Sequence, residues 1–571
     1  MVHAAEPGAR ADPRDGALPA RSGREAQRFA AELGVSRTFA DWLFRRGFAD
    51  AELTRRFLNP RLSELSAPHT MADRDRAADR IVSAIRRRER IAVFGDYDCD
   101  GMTSAAILTE VLRALGGDVR PLVASRFDGG YGVSPAAVER IVATSATLLV
   151  TCDCGSSDHE RIADLARRGV ETIVVDHHLV PDQPLPAVAF LNPHRSECGF
   201  AYKGLASCGL VLSVGAAVRA ALGQALDMRR WLDLVALGTI ADVAPLDGDN
   251  RSLVRAGLRA LAEGRRPGVR ALLSLTNLEG LECLSSEDVS FRLAPRLNAP
   301  GRLGAPDPAL ELLLAPSLDV AQAIAAQIEQ ASIERRAVQD RIAAEALEEI
   351  RRERYDDRPA IVLGREGWNH GIVGIVAGRL AAEFARPVVM VGFDGGRGRG
   401  SVRGPEGARL HDALVRCEAT LLRFGGHQAA AGVELELTRL GEFREAFESA
   451  VQGLASAAPP SSARSNELRV WLAEEDDPAR VVADFVLLEP CGATNPAPEI
   501  VVEAKVISAR EVTGGHLKLE LELAGRRLSA FGPLLGAHSG LVGHSVVLSG
   551  RLRPDRYRGG GAVELRIESI L

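Results

Sequence analysis

Arg90-Ile91-Ala92-Val93-Phe94-Gly95-Asp96-Tyr97-Asp98-Cys99-Asp100-Gly101 runs from a short apolar segment into three aspartates at alternate positions. Residues 91–94 have the composition of a buried β-strand, and Gly95 ends it. If the backbone stays extended beyond Gly95, the two-residue period sets Asp96, Asp98 and Asp100 on one side of the chain. Three carboxylates so close repel one another, and hard divalent cations held through oxygen are the natural neutralising partner. The alternative is a solvated acidic turn, with Asp100 near the N-terminus of a helix over 103–115. This stretch alone leaves both readings open.

The sequence around it weighs between them. From Arg74 onward helical and strand patterns alternate, with candidate strands at 91–94, 119–123, 148–151 and 172–175. Such alternation predicts a mostly parallel sheet with helices on both faces, and ligands of such sheets gather beyond the carboxyl ends of the strands. The third strand runs into Cys152-Asp153-Cys154-Gly155 and the fourth into Asp176-His177-His178. A helical stretch over 231–240 ends in Ala241-Asp242-Val243-Ala244-Pro245-Leu246. Taken singly, an aspartate after a strand is a cap or turn residue, and a histidine pair is a surface or core feature. Recurring where the fold would bring them together, they favour a cation site.

At 571 residues the chain exceeds what one core holds and predicts three or four domains. Its 46% hydrophobic and 26% charged content are those of a soluble globular protein. No apolar run is long enough to span a bilayer, so no membrane partner is expected. The first residues, rich in Ala, Arg, Pro and Gly, lack the apolar core of a signal peptide and read as a disordered tail, 1–24. The 8 cysteines show no paired Cys-x-x-Cys spacing and read as free thiols of a cytoplasmic protein. Net charge is −6, which argues mildly against nucleic acid, although carboxylates gathered around cations count as negative here. The basic residues are nearly all arginine, whose fork suits phosphate.

Residues 321–354 form one long helical pattern dense in Ala, Glu and Arg, either a connector or an ordinary surface helix. A second α/β unit follows, with strands at 360–363 and 387–391 around a helix at 371–384. It carries a glycine- and arginine-rich stretch over 395–403, and then Phe424-Gly425-Gly426-His427-Gln428-Ala429-Ala430-Ala431-Gly432. An Ala-, Pro- and Ser-rich linker precedes a final portion with alternating strands such as 516–523 and 546–552, which suits a small β-barrel.

In order, Asp-Tyr-Asp-Cys-Asp-Gly at 96–101, Asp153, Asp176-His177-His178 and Ala-Asp-Val-Ala-Pro-Leu at 241–246 resemble the four motifs of the DHH phosphoesterase superfamily. The glycine-rich stretch at 425–432 resembles that of the DHH-associated domain. Within the superfamily the chain is most similar to the RecJ family of bacterial single-strand-specific 5′→3′ exonucleases. Supporting matches are Arg126 with Gly130-Tyr131-Gly132, the run 295–302 that ends in Gly301-Arg302, and Trp368-Asn369-His370-Gly371. Glu489-Pro490-Cys491-Gly492 with Asn495-Pro496 resembles the entry to a C-terminal OB-fold.

The resemblance implies an α/β multidomain fold with a parallel-sheet DHH core, a long connector helix, a second α/β DHH-associated domain and a C-terminal OB-like β-barrel. The expected boundaries are a catalytic domain with its N-terminal helices at 25–317, a connector at 318–356, the associated domain at 357–454, a linker at 455–466 and the barrel at 467–571. It implies two divalent ions, manganese or magnesium, with Asp96, Asp98, Asp100, Asp153, His177 and Asp242 as ligands and Asp153 as the bridge. Asp98, Asp153 and His178 are the expected catalytic residues, with His178 facing the scissile phosphate and Asp176 orienting the histidines. Arg126, Arg302, Ser401 and Arg403 match a pocket for the 5′-terminal phosphate. His427 is expected near the substrate backbone or as a turn residue, and Tyr131 stacks on a base or packs. Gly404 after Arg403 and the pair Ser207-Cys208 depart from the family pattern without removing a ligand.

The implied substrate is single-stranded DNA, released as 5′-mononucleotides in recombination and repair, with a single-strand-binding protein and a helicase as partners. Two other functions remain in view. One is a phosphodiesterase for short RNA or cyclic dinucleotides, whose members are typically shorter and lack the terminal barrel. The other is a replication scaffold on a degenerate core, which loses the ligands that are present here.

Overall fold

Strands β1 (Arg90–Gly95), β2 (Asp118–Val123), β3 (Leu148–Cys152), β4 (Glu171–Val175) and β5 (Ala189–Leu191) form one sheet in the order β2-β1-β3-β4-β5. All four pairings are parallel. The strands are apolar throughout because both faces are covered. Ile91, Val93 and Val150 enter one core, while Ala92, Phe94 and Leu149 enter another on the opposite face. Strand order reverses at β1, with β2 on one side and β3 on the other, so a crevice opens at the carboxyl ends of β1 and β3.

The structure, a computed structural model, describes residues 18–21, 23–426, 428, 430–454, 468–555, 558–559 and 561–571. The expected linker 455–466 and most of the expected tail lie outside these residues. The described residues fall into two compact units, one spanning 62–454 and the other made of 18–61 with 468–571.

The four expected strands of the first sheet match the observed ones to within one residue at either end. The backbone after β1, however, does not stay extended. A helix begins at Cys99 and runs to Ala114, and Asp98 caps it, accepting the Asp100 and Gly101 amides at 3.0 and 3.1 Å. Asp100 therefore stands in the first helical turn, and the alternate spacing of the aspartates is not what gathers them. Glycine makes the close approach of this helix to the strand end: a Cβ on Gly95 would lie 2.3 Å from the Gly101 carbonyl oxygen.

The same unit holds a second sheet of β6 (Ile361–Glu366), β7 (Val388–Asp394), β8 (Arg397–Arg403), β9 (Arg423–Gly426) and β10 (Ala430–Glu436), ordered β6-β7-β8-β10-β9. Only β6 and β7 are parallel. The 36-residue helix Leu318–Glu353 buries Ala321, Ala325 and Ile328 in a core of the first sheet, and Ile342, Ala346 and Ile350 in a core of the second. At 1.5 Å per residue it is about 54 Å long.

In the other unit, β11 (Arg469–Trp471) flanks a closed barrel of β12 (Glu499–Val512), β13 (His516–Leu523), β14 (Arg526–Gly532), β15 (Ser545–Pro554) and β16 (Val563–Ile570). The long β12 pairs with both β13 and β15, and β14 with β16 gives the one parallel pairing among the barrel strands. One expectation is corrected here. The N-terminal helices Arg24–Leu33, Arg37–Arg45 and Ala51–Leu58 were grouped with the catalytic domain, yet Phe39, Trp42 and Leu43 share a core with Val470, Val481 and Leu548. Their polar edges agree: Asp476 accepts the Thr38 amide at 2.7 Å and Asp484 the Ser36 amide at 2.7 Å. Trp471 also donates its indole N–H to the Pro19 carbonyl at 2.7 Å, so residues at the end of the expected tail lie against this unit.

Candidate metal centre and phosphate pocket

Strands β1, β3 and β4 end level, since Gly95 pairs with Cys152 and Cys152 with Val175. The next residue of each is an aspartate. The amide of Asp96 donates to the Cys152 carbonyl at 3.1 Å, that of Asp153 to Val175 at 3.0 Å and that of Asp176 to Leu191 at 3.0 Å. The three carboxylates thus leave the sheet side by side, at the point where its strand order reverses.

Other elements complete the ring. The helix Ser207–Ala221 aims its first amides at Asp100, with Ser207 N–H 2.7 Å from Oδ2 and Cys208 N–H 3.0 Å from Oδ1. A helix N-terminus favours such a carboxylate. The Ser207 hydroxyl donates to Asp153 Oδ1 at 3.1 Å. The helix Leu232–Ala241 delivers Asp242, and a Cβ on Gly238 would sit 2.3 Å from Thr103 Oγ1, so this helix packs directly on the one that begins at Cys99. His177 Nε2 lies 3.2 Å from Asp153 Oδ1 and 3.7 Å from Asp242 Oδ2.

Three sets of donors have their atoms within 4.8 Å of one another: Asp96 with Asp98 and Asp153, Asp100 with His177 and Asp242, and Asp153 with His177 and His178. Two of the buried atoms, Asp96 Oδ1 and His177 Nε2, have no hydrogen-bond partner. Buried polar atoms are rarely left so, and these fit ligands to a cation. Carboxylate with imidazole suits manganese, and an oxygen-rich set suits magnesium.

Electrostatics point the same way. Burial, and then the Asp98 charge, push Asp96 well above the ordinary carboxylate range, and burial with Asp98 and Asp100 does the same to Asp153. Asp100 is raised by burial, and Asp242 is pushed up to about 8 by burial and by Asp100 and Asp98. Without positive charge the ring cannot all ionise. Asp176 behaves oppositely: although buried, it is held below the ordinary range by its bonds and charge contacts with His178. It accepts from His178 Nδ1 at 2.7 Å and from the His177 amide at 2.8 Å, while Ser156 N–H reaches its other oxygen at 3.1 Å. Burial opposes the charging of His178, but Asp176 prevails and raises it to about 9. Tyr131 joins this group, donating its hydroxyl to the Asp153 carbonyl at 3.1 Å with its oxygen 2.8 Å from His178 Nδ1.

A second cluster is cationic. The Arg126 guanidinium lies 4.2 Å from the centre of the Tyr97 ring, and its buried Nε has no partner. Arg302, on the helix Ala294–Leu303, donates to the Gly371 carbonyl at 3.0 Å. Arg403, at the end of β8, donates to the Val402 carbonyl at 2.8 Å. Burial and then Arg126 depress the pKa of both, that of Arg302 down to about 10. Ser401 stands close by, since a Cβ on Gly374 would lie 2.8 Å from Ser401 Oγ and 3.4 Å from an Arg403 nitrogen. Half-buried guanidiniums that repel one another suit an anion such as phosphate.

Known proteins have the same organisation. A family model of the DHH family N-terminal domain matches residues 90–239, and one of the DHHA1 domain matches 357–453. The single-stranded-DNA-specific exonuclease RecJ of Dickeya dadantii is 35% identical over 528 residues, 86% of this chain and 89% of that protein. The chain belongs to the RecJ family. The RecJ of Bacillus subtilis, which bears the same name, is 33% identical over 526 residues, 91% of this chain but 65% of that longer relative. The crystal structure of Thermus thermophilus RecJ in complex with Mn2+ matches with a TM-score of 0.79 at 29% identity, covering 96% of this chain and 78% of that one. Its complex with Mg2+ matches with a TM-score of 0.74.

Within this RecJ-family frame, every described residue expected in the site falls in one of the two clusters; His427 lies outside the described residues. Several contributors escaped the sequence reading. Ser207, in sequence only a departure from the family pattern, bonds to both Asp100 and Asp153. Arg335, on the long helix, lowers the pKa of Arg302, and its own buried Nε has no partner. His370 packs its ring 4.4 Å from that of Phe127 and is depressed by burial, Arg399 and Arg126. Neither Arg335 nor His370 is marked by local spacing as part of a site.

Proposed function

We propose that this chain is a metal-dependent, single-stranded-DNA-specific exonuclease that works 5′→3′, releases 5′-mononucleotides and serves recombination and repair. The observation that carries it is the pairing of a buried ring of carboxylates and histidines with a separate arginine pocket, in a chain aligned with named exonucleases over 86% of its length.

Asp96, Asp98 and Asp153 would hold one ion and Asp100, His177 and Asp242 the other, and Asp153 also groups with His177 and His178. Two divalent ions held there would supply an activated water and neutralise charge at the phosphodiester. With Nδ1 of His178 bonded to Asp176, its Nε2 is left to donate a proton to the departing 3′-oxygen or a hydrogen bond to the phosphate. Tyr131, whose hydroxyl oxygen lies 2.8 Å from the same Nδ1, steadies that ring instead of stacking on a base. Arg126, Arg302, Ser401 and Arg403 are read as the clamp for the 5′-terminal phosphate, which sets polarity by admitting only an end. No described helix is long and apolar enough to cross a membrane, and a cytoplasmic location beside a single-strand-binding protein and a helicase is part of the same reading.

The test is digestion of labelled single-stranded DNA with manganese, comparing 5′-phosphorylated and 5′-blocked strands, beside Asp153→Ala. Mononucleotides released from accessible 5′ ends, and lost in the variant, support the reading. Hydrolysis confined to dinucleotides would overturn the substrate while keeping the metal centre.

A further inference from the structure

Val243 follows Asp242 directly and has a left-handed backbone, φ +59°, while its side chain is 71% exposed. β-Branched residues seldom adopt that conformation, and glycine does so freely. The turn does not need valine: the Val243 amide bonds to the Ile240 carbonyl at 3.2 Å and the Ala244 amide to that of Thr239 at 3.2 Å, whatever the side chain. Leu179, 67% exposed, directly follows His178. Each Cα is one peptide, about 3.8 Å, from that of a residue of the acidic centre. A ring of carboxylates and imidazoles thus carries on its rim two large apolar side chains that the protein leaves largely uncovered.

We propose that Val243, together with Leu179, packs against the apolar sugar and base of the nucleotide whose phosphodiester lies in the metal centre. This deepens the exonuclease reading and rests on it. A strand that brings a phosphate to the two ligand sets must lay the neighbouring nucleoside against their rim. The metal centre takes the phosphate, and an apolar contact on its rim holds the nucleoside without adding charge. Backbone strain at Val243 is then tolerated because that conformation carries the side chain out to the substrate.

The experiment uses the full chain with Val243→Gly, Val243→Ala, Val243→Ile and Leu179→Ala. Free Mn2+ followed by electron paramagnetic resonance reports metal binding, thermal melting reports the fold, and steady-state digestion of single-stranded DNA reports KM and kcat separately. Val243→Gly is expected to melt no lower than wild type and to bind Mn2+ as before, with KM raised about five- to tenfold and kcat within about twofold. Val243→Ala and Leu179→Ala shift KM in the same direction, and Val243→Ile keeps the wild-type KM. A Val243→Gly enzyme with wild-type KM overturns the proposal. So does one whose Mn2+ binding and kcat fall together, because Val243 then serves only to hold Asp242. Wild-type protein inert on single-stranded DNA sinks the exonuclease reading and this proposal with it, whereas active wild type with an indifferent Val243→Gly sinks this one alone.

Discussion

The acidic centre and the arginine pocket belong to the same unit but are built in opposite ways. In the centre, short side chains are fixed by backbone: Asp98 accepts two amides, Asp100 two, and Asp96, Asp153 and Asp176 leave level strand ends. In the pocket, long side chains reach inward from a loop, a helix and a strand, and Arg302 and Arg403 each hold on to a carbonyl. The first region is preorganised for small ions that tolerate little displacement, and the second is adaptable, as suits a phosphate at the end of a flexible strand. Each is electrostatically incomplete, with opposite sign. Losses in the centre are therefore expected to strike the chemical step, and losses in the pocket to strike the hold on the substrate.

The largest expected effect tests the first half of that division. Asp153→Ala removes the carboxylate common to two donor sets, and kcat on single-stranded DNA is expected to fall about 1,000-fold or more. Its circular dichroism should stay native, because one repelling charge has left a buried ring; an active variant would show that Asp153 is not shared between ions. The next effect tests the second half. Arg302→Ala should raise KM for 5′-phosphorylated strands about 10- to 100-fold with kcat nearly kept, and should scarcely change KM for strands ending in a 5′-hydroxyl. Equal losses on both substrates would erase the distinction between pocket and centre.

A smaller effect sharpens the comparison from inside the centre. Ser207 touches Asp153 through its hydroxyl and Asp100 through its amide, and Ala removes only the first contact. Ser207→Ala should weaken Mn2+ about tenfold in a binding titration while leaving KM for DNA at saturating metal unchanged. Unaltered Mn2+ affinity would mean that the backbone alone orients Asp153.

The same contrast explains what could be read from sequence. The centre was legible because a buried strand that ends in a polar residue is a local pattern, repeated at Asp96, Asp153 and Asp176. The start of the following helix was misjudged by four residues, 103 against Cys99, since Asp98 as a cap and the contact of Gly95 with Gly101 are matters of packing. The strand Ala189–Leu191 is too short to leave a periodic signal. In the pocket, Arg126, Arg302 and Arg403 came only through family likeness, His370 stood in a matched motif without a role, and Arg335 did not appear, because nothing local sets one arginine among the many apart. The N-terminal helices were misassigned for a similar reason: Trp42 and Leu43 share a core with strands more than 400 residues away in sequence.

The smallest effect reads the charge of the centre through stability. An aspartate ordinarily near 3.8 is pushed up to about 8 at Asp242, and Asp96, Asp100 and Asp153 are also raised. A group whose pKa is higher in the folded state adds stability that is complete below the unfolded value and is lost as pH climbs through the folded one. His178, raised to about 9, acts in the same direction, while His177, lowered by burial, acts against it. Metal-free protein is therefore expected to melt a few °C lower at pH 8.5 than at pH 5.5. Asp242→Asn, which cannot ionise, should flatten part of that slope. Saturating Mn2+ should reverse it, because the cation binds the ionised ring and competes with its protons. Nothing in the arginine pocket predicts such a slope, since guanidiniums keep their charge across this range. Metal-free protein whose melting temperature rises from pH 5.5 to 8.5, with Asp242→Asn indifferent, would show that the carboxylates are already ionised without metal, and the acidic centre would then be no more in need of a counter-charge than an ordinary solvated turn.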